Sequence, residues 1–138
     1  MPGKQYGDNE ILNNALVNRE GTLLASAART ATNSSDAQTN PGYKGVKVFI
    51  DCTVSADTPS VTFSIEEKDP VGGDYKSILT SAAVTAAITA PVVLTVYPGC
   101  IAVANVVLNE PLPRTWRVTA THADTDSITY SVAYCYIV

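Results

Sequence analysis

The sequence lacks the features that mark several classes of protein. It contains no run of roughly 18 consecutive apolar residues, which a membrane-spanning helix requires, and its N-terminus, MPGKQYGDNEILNN, has no apolar stretch of signal-peptide length. We therefore expect synthesis in the cytoplasm and no membrane association. Only 9 Lys and Arg stand against 13 Asp and Glu, which gives a net charge of −4. Because nucleic-acid-binding proteins carry a basic patch or stripe, we expect no nucleic-acid partner.

Cysteine is also scarce, and the spacing of the cysteines matches no paired motif. The three cysteines, Cys52, Cys100 and Cys135, are odd in number and far apart, and no Cys-x-x-Cys pair exists. A zinc or redox motif is therefore absent. We predict reduced, unpaired thiols that act as small apolar residues, and we predict no metal and no cofactor.

One stretch has the residue types of an active site. RTWRVTATHADTDSITYSV, residues 114–132, contains the only histidine and the only tryptophan of the chain. A histidine oriented by a carboxylate is a common general base, so His122 with Asp124 or Asp126 is the catalytic candidate. However, the sequence has no Gly-x-Ser-x-Gly motif, and HADTDS has the composition of a turn. We therefore predict that the protein is not an enzyme.

Two acidic loops have a weak resemblance to ion sites. Asp124 and Asp126 alternate as oxygen ligands do, but the further ligands and the distal Glu of a calcium loop are missing. The loop DPVGGD, with Asp69 and Asp74, has two glycines but neither the lysine spacing nor the helix of a phosphate-binding loop. Both loops are interpreted as turns.

Alternation of apolar and polar residues predicts β-strands. KVFIDCTV and SVTFSIEE both alternate, and the polar loop SADTP between them suggests a hairpin. The expected inward face of the first strand comprises Val46, Val48, Ile50, Cys52 and Val54. A second hairpin is expected in residues 114–132, with Trp116 in the core and His122 in the loop. SAAVTAAITA is predicted to cross the fold in extended form, and CIAVANVVLNEPLP is predicted to be a long connection with at most one helical turn.

Short strands at close spacing predict an all-β fold. We expect an antiparallel β-sandwich, or a small barrel, of about seven or eight short strands with an extended N-terminal arm. Residues 1–40 are assigned to the arm and an edge element, and residues 41–138 to the sandwich domain. Within the arm, Asp8 or Asn9 is expected to cap a short helix, and TLLASAART is expected to form a first strand.

Partner contact is predicted at two kinds of position. The arm is polar apart from one apolar cluster, which suits a groove on a neighbouring subunit. Outside the arm, Phe49 is an aromatic residue on an otherwise polar strand face. The two arginines that flank Trp116 either bind an acidic partner surface or are exposed to solvent. The candidate residues are Ile11, Leu12, Leu16, Val17, Phe49, Arg114 and Arg117.

The sequence resembles a family of small virion proteins of tailed bacteriophages. The resemblance runs from about Leu23 to the C-terminus, and TPSVTF, KDP, LPRTWRV and DSITYSV are its most specific segments. It implies a structural protein that decorates and cements the outer surface of the capsid, with the major capsid protein as partner. Because the edge strands of a small sandwich invite pairing with other chains, we also expect a homo-oligomer, either a dimer or a trimer. The protein is expected to be made in the host cytoplasm and to be located in the virion.

Two other functions remain open from the sequence. One is another virion component, such as a tail-tube or head–tail connector protein. The other is a carbohydrate-binding β-sandwich on the virion surface, for which Tyr43, Tyr75 and Tyr97 would have to cluster as exposed rings.

Overall fold

The computed structural model describes residues 17–138, and this part of the chain is all β-structure without a helix. The strands are β1 (Glu20–Arg29), β2 (Asn33–Ser34), β3 (Gln38–Thr39), β4 (Gly45–Ser55), β5 (Val61–Lys68), β6 (Tyr75–Thr80), β7 (Val92–Val96), β8 (Val107–Leu108), β9 (Thr115–His122) and β10 (Ile128–Ile137). The helix expected in the arm lies outside the described residues, as do the partner-contact candidates Ile11, Leu12 and Leu16.

Two unclosed sheets face each other. The first, sheet A, has the order β1-β10-β4-β7-β8, and the second, sheet B, has β9 between β2 and β5 with β6 at the far edge. β3 also pairs with β9, and every pairing except β7–β8 is antiparallel. The predicted β-sandwich is confirmed, and the way that the chain alternates between the sheets makes it a jelly roll. The ten strands exceed the expected seven or eight because β2, β3 and β8 have two residues each.

The core lies between the sheets, where the alternating apolar residues meet. Sheet A contributes Val46, Val48, Ile50, Cys52, Leu94, Val96, Ile128, Tyr130, Val132 and Tyr136, and sheet B contributes Val61, Phe63, Ile65, Leu79, Trp116, Val118 and Ala120. Trp116 is fully buried, and its ring packs edge-on against Tyr134 at 5.7 Å and Tyr136 at 6.0 Å between centroids. Such edge-to-face pairs stabilise a core beyond their buried area.

Both expected hairpins are wrong. β4 and β5 lie in opposite sheets, as do β9 and β10, so residues 56–60 and 123–127 are arches that cross the sandwich. β4 pairs with β10 and β5 pairs with β9, so the two arches lie side by side. Alternation identifies the buried face of a strand, but it does not identify the strand that pairs with it.

Val54 does not lie on the inward face of β4, where the alternation of apolar residues predicted it. Cys52 pairs with Tyr130, whereas Val54 pairs with the adjacent Thr129, so β4 has one extra residue at this point. Such a bulge shifts the following side chains to the other face. Val54 is therefore exposed on the outer face of sheet A instead of buried.

The remaining connections follow the sequence more closely. Residues 69–74 form the turn of the one hairpin that joins consecutive strands of sheet B, β5 and β6. Residues 81–91 cross from sheet B to sheet A without regular structure, as expected. The expected first strand is β1, and the edge element of residues 1–40 consists of β1 together with β2 and β3. The connection after β7 contains a turn and the short strand β8 instead of a helical turn.

We predict that Trp116→Ala lowers the free energy of unfolding by about 3–5 kcal/mol, because it opens a large cavity between the sheets. Urea unfolding monitored by circular dichroism measures the change. Arg114→Ala, on an exposed side chain two residues away, serves as the control and should be close to neutral. A Trp116→Ala midpoint equal to the wild-type value would contradict the buried position.

Candidate partner-binding surfaces

The predicted partner-contact residues do not form one surface. Phe49 lies on the outer face of sheet A, whereas Arg117 lies on the outer face of sheet B. Arg114 is exposed before β9, in a cleft that also includes Lys68 and Pro113. Val17 is exposed at the start of the described chain. A single flat partner surface therefore cannot contact Phe49 and Arg117 together.

Arg117 is engaged within its own chain. Its Nε donates to Oε1 of Glu66 at 2.7 Å, and its guanidinium lies 3.7 Å from the centre of the Tyr75 ring. The same Glu66 oxygen accepts a hydrogen bond from Oγ1 of Thr119 at 2.6 Å. Glu66 and Arg117 are cross-strand neighbours, so the pairing of β5 with β9 places these charges together. A partner would have to displace these contacts to use Arg117.

Phe49 is the centre of a mixed surface. Its cross-strand neighbours are Ala133 on β10 and Val93 on β7, both too small to cover the ring. Lys47 and Asp51 lie on the same face and are exposed. An aromatic side chain with a charged rim is the usual arrangement of a protein interface.

Next to Phe49 is a shallow depression of about 280 Å³. Its outward-facing lining comes from Glu20 and Thr22 of β1 and from Ala133 and Cys135 of β10. Phe49 is half-buried, so a partner that covers it would remove the remaining apolar ring surface from water.

The catalytic candidate His122 belongs to a hydrogen-bonded network that joins three parts of the fold. Oη of Tyr130 donates to Oδ1 of Asn33 at 2.7 Å, and it therefore accepts from Nε2 of His122 at 2.9 Å. This direction places a proton of His122 on Nε2. Its Nδ1 is buried without a partner among the described residues, so a second proton there would have no acceptor. Burial raises the pKa of Tyr130 to about 12, which keeps its hydroxyl protonated.

Asp124 and Asp126 hold the two arches. Oδ1 of Asp124 accepts from the backbone N–H of Asp126 at 3.1 Å. Oδ2 of Asp126 accepts from the backbone N–H and the hydroxyl of Thr58 in the neighbouring arch, at 3.2 and 3.3 Å. The arches are also joined by backbone bonds from Ala56 to Ser127 and from Ala123 to Ser60. The carboxylates thus act on backbone geometry, as turn aspartates commonly do.

The other acidic loop is a turn of the same kind. Oδ1 of Asp69 accepts from the backbone N–H groups of Val71 and Gly72, at 2.9 and 3.0 Å. These two bonds lower the pKa of Asp69 because they favour its ionised form. Across residues 17–138, no three His, Cys, Asp or Glu side chains lie close enough together to hold a metal ion. The same residues include no helix of the length and apolarity that a membrane span requires.

The tyrosines proposed for carbohydrate binding are not equivalent. Tyr43 is buried, and its ring stacks on Tyr136 with 4.6 Å between centroids. Its hydroxyl donates to the carbonyl oxygen of Val17 at 2.6 Å, which fixes the start of the described chain to the sandwich. Tyr75 lies beneath the Arg117 guanidinium. Tyr43 therefore cannot present an exposed ring to a sugar.

An apolar groove lies along one edge of the sandwich, and no sequence pattern predicted it as a surface. It has a volume of about 500 Å³ and is formed by residues 82–88, Val92 and residues 104–106. Alanine and valine account for most of its lining. The run SAAVTAAITA suggested only a connection, because the groove exists only where this segment meets the connection after β7.

Comparisons with known proteins concern the fold. No protein-family model matches the sequence, and no curated protein matches it. A chain in a structure of infectious bursal disease virus Gt strain matches with a TM-score of 0.50 and 8% identity, over 88% of this chain and 33% of that chain. SPBc2 prophage-derived protein YomS matches with a TM-score of 0.47 and 10% identity, over 86% and 93% of the two chains.

A third match comes from Bacillus endospore appendages, described as a family of disulfide-linked pili, with a TM-score of 0.44 and 15% identity. It covers 88% of each chain. At such identities a match indicates shared architecture alone. The sandwich of this protein is thus of a kind that also occurs in a virus structure.

We predict that stability falls as the pH decreases below the ordinary histidine pKa of 6.5, because the pKa of His122 is lowered in the fold. Burial is the main cause; the nearby Asp124 carboxylate opposes it, and the Arg29 guanidinium reinforces it. The unfolded chain therefore takes up a proton first, which favours unfolding. His122→Gln should remove most of the change between about pH 7 and pH 5, a range above the ordinary carboxylate pKa values. The measurement is the thermal midpoint of both proteins at each pH; parallel curves would disprove the assignment.

We predict that the three thiols of the native protein are alkylated at different rates. Cys52 is buried, and burial together with the Asp51 charge raises its pKa to about 11, so it should react last. Cys100 and Cys135 are partly exposed and should react first. Mass spectrometry after timed iodoacetamide treatment gives the order, and denatured protein, in which all three react, is the control. Early modification of Cys52 would show that its environment is more open than the structure indicates.

Proposed function

We propose that this protein is a structural virion protein of a tailed bacteriophage that binds the outer surface of the assembled capsid as a decoration, or cement, protein. The proposed partner is the major capsid protein, and the proposed location is the capsid surface. The proposed role is mechanical rather than catalytic.

The observation that carries the proposal is that the polar residues with the chemistry of an active site form hydrogen bonds within their own chain. His122, Asp124, Asp126 and Glu66 all form bonds that hold strands or arches of the same chain. Such bonds stiffen a scaffold and leave its outer faces available for contact. The sequence resemblance to phage virion proteins and the sandwich shared with a virus structure support the same role.

The outer face of sheet A is the proposed capsid-binding surface. Phe49 supplies the apolar centre, and Lys47 and Asp51 supply a charged rim. Truncation of a central aromatic residue commonly removes a large part of the binding free energy of an interface. A face of this kind also suits another virion component, such as a connector or tail-tube protein, which would bind the same virion in few copies instead of many.

We predict that Phe49→Lys weakens binding to undecorated shells by about tenfold or more, which corresponds to about 1.4 kcal/mol. The matched control is Thr121→Lys, which places the same charge at an exposed position on the outer face of sheet B. Co-sedimentation with purified shells over a range of protein concentrations measures both, and unfolding midpoints confirm that both variants fold.

Three results would count against the proposal. Absence of shell binding by the wild-type protein would exclude the decoration role. Equal binding by Phe49→Lys and wild type would exclude this face. Binding to isolated tails or connectors in preference to shells would favour the other virion role.

A further inference from the structure

The apolar groove is a preformed surface, because both of its walls are bonded to the sandwich. One wall is anchored to sheet B by the paired backbone bonds of Val84 and Val61, and to sheet A by the bond from Ile88 N–H to the carbonyl of Cys52 at 2.9 Å. In the other wall, the amide of Asn105 donates to the carbonyl of Thr80 at 2.8 Å. A partner would therefore not need to order the groove on binding.

The connection that forms the second wall of the groove also carries exposed apolar side chains. Ile101, Val103 and Val106 are 87%, 48% and 43% exposed, and all three belong to the connection that forms the second wall. They are three of the seven large hydrophobic side chains exposed in residues 17–138. None of the described residues that line the groove is charged. An uncharged apolar groove, with exposed apolar side chains in the same connection, is the kind of surface that marks a site of interaction.

The chain itself contains a segment of matching chemistry. Residues 1–16 precede the described chain, and they carry Ile11, Leu12 and Leu16 among polar residues. Val17, the next residue, is exposed. These side chains are aliphatic, as a groove lined by alanine and valine requires, and the volume of about 500 Å³ accommodates several of them.

Leu12 and Leu16 cannot both reach the groove of their own copy. Val17 bonds to Tyr43 and lies three residues before β1, close to Arg19, whose carbonyl oxygen accepts from Tyr136 of β10. The groove lies at the β7 and β8 side of sheet A, three to four strand spacings or about 14–19 Å from β1. Val17 is also near the first residue of β4, whereas the groove wall bonds to Cys52 near its last. Leu16 is adjacent to Val17, and Leu12 is five residues before it, at most about 18 Å in a fully extended chain.

We propose that the apolar N-terminal segment of one copy, centred on Leu12 and Leu16, binds in the groove of a second copy. Donor and acceptor surfaces then lie at opposite edges of sheet A, so the contact is head-to-tail and each copy uses both surfaces. Repetition of such a contact gives a closed ring or an open row of copies. This contact does not depend on the capsid role, and it is tested without shells.

The test uses two complementary variants of the full chain. Leu12→Asp with Leu16→Asp removes the donor segment, and Val106→Asp places a charge in the acceptor groove. Sedimentation velocity over a range of concentrations measures self-association. We expect wild type to associate and each variant to associate at least tenfold more weakly. An equal mixture of the two variants retains one intact contact, so it should form a heterodimer and no larger species.

Matched controls separate the contact from general effects of charge. Asn13→Asp with Asn14→Asp adds the same charge to the segment without removing aliphatic side chains, and it should associate as wild type does. Thr121→Asp adds a charge on the distant face of sheet B and should also have no effect. Ala87→Asp is a second groove variant in case Val106→Asp does not fold, and unfolding midpoints identify any variant that fails.

Three results would overturn the proposal. They are a wild-type protein that is monomeric at all concentrations, donor or groove variants that associate as wild type does, and a mixture of folded variants that stays monomeric. Where a donor variant self-associates normally and also loses shell binding, the second result would in addition assign the segment to the capsid. Failure of wild-type shell binding alone would affect the proposed function and leave the contact between copies intact.

Discussion

The contact between the two sheets is the constraint on which the rest of the structure depends. The aromatic rings of Trp116, Tyr136 and Tyr43 pack at one end of the core, and Phe63 packs edge-on against Tyr130 further along, at 5.0 Å between centroids. Burial of these rings requires strands from both sheets, so neither sheet is expected to be stable alone. The chain therefore has to cross between the sheets repeatedly, and each crossing needs polar groups that satisfy the backbone it leaves unpaired.

That requirement explains why the polar residues of the sequence suggested an active site. Asp124 and Asp126 satisfy backbone donors where two crossings lie side by side. His122 and Asn33 satisfy the hydroxyl of Tyr130, whose ring belongs to the core. A buried hydroxyl without such partners would cost stability, so the residues around it have to be polar for structural reasons alone.

The jelly roll also determines which surfaces are available to partners. The outer face of sheet B is rich in hydroxyl groups that bond to one another, as Ser34 does to Thr119 at 2.7 Å and Ser64 to Thr80 at 2.8 Å. The outer face of sheet A has Phe49, and the edge beside β8 has the apolar groove. These two apolar surfaces lie on different sides of one small domain, so the two proposed contacts, one with a shell and one between copies, do not compete for the same residues.

The sequence by itself determined the strand class, the turn of residues 69–74 and the buried faces, including Trp116, because these follow from alternation and local turn chemistry. Only the tertiary structure decided which strands pair, and the two expected hairpins became arches for that reason. It also decided that Val54 is exposed, because a bulge depends on the neighbouring strand. The groove could not be predicted from the sequence either, because it forms where residues 82–88 meet residues 104–106, which are distant along the chain.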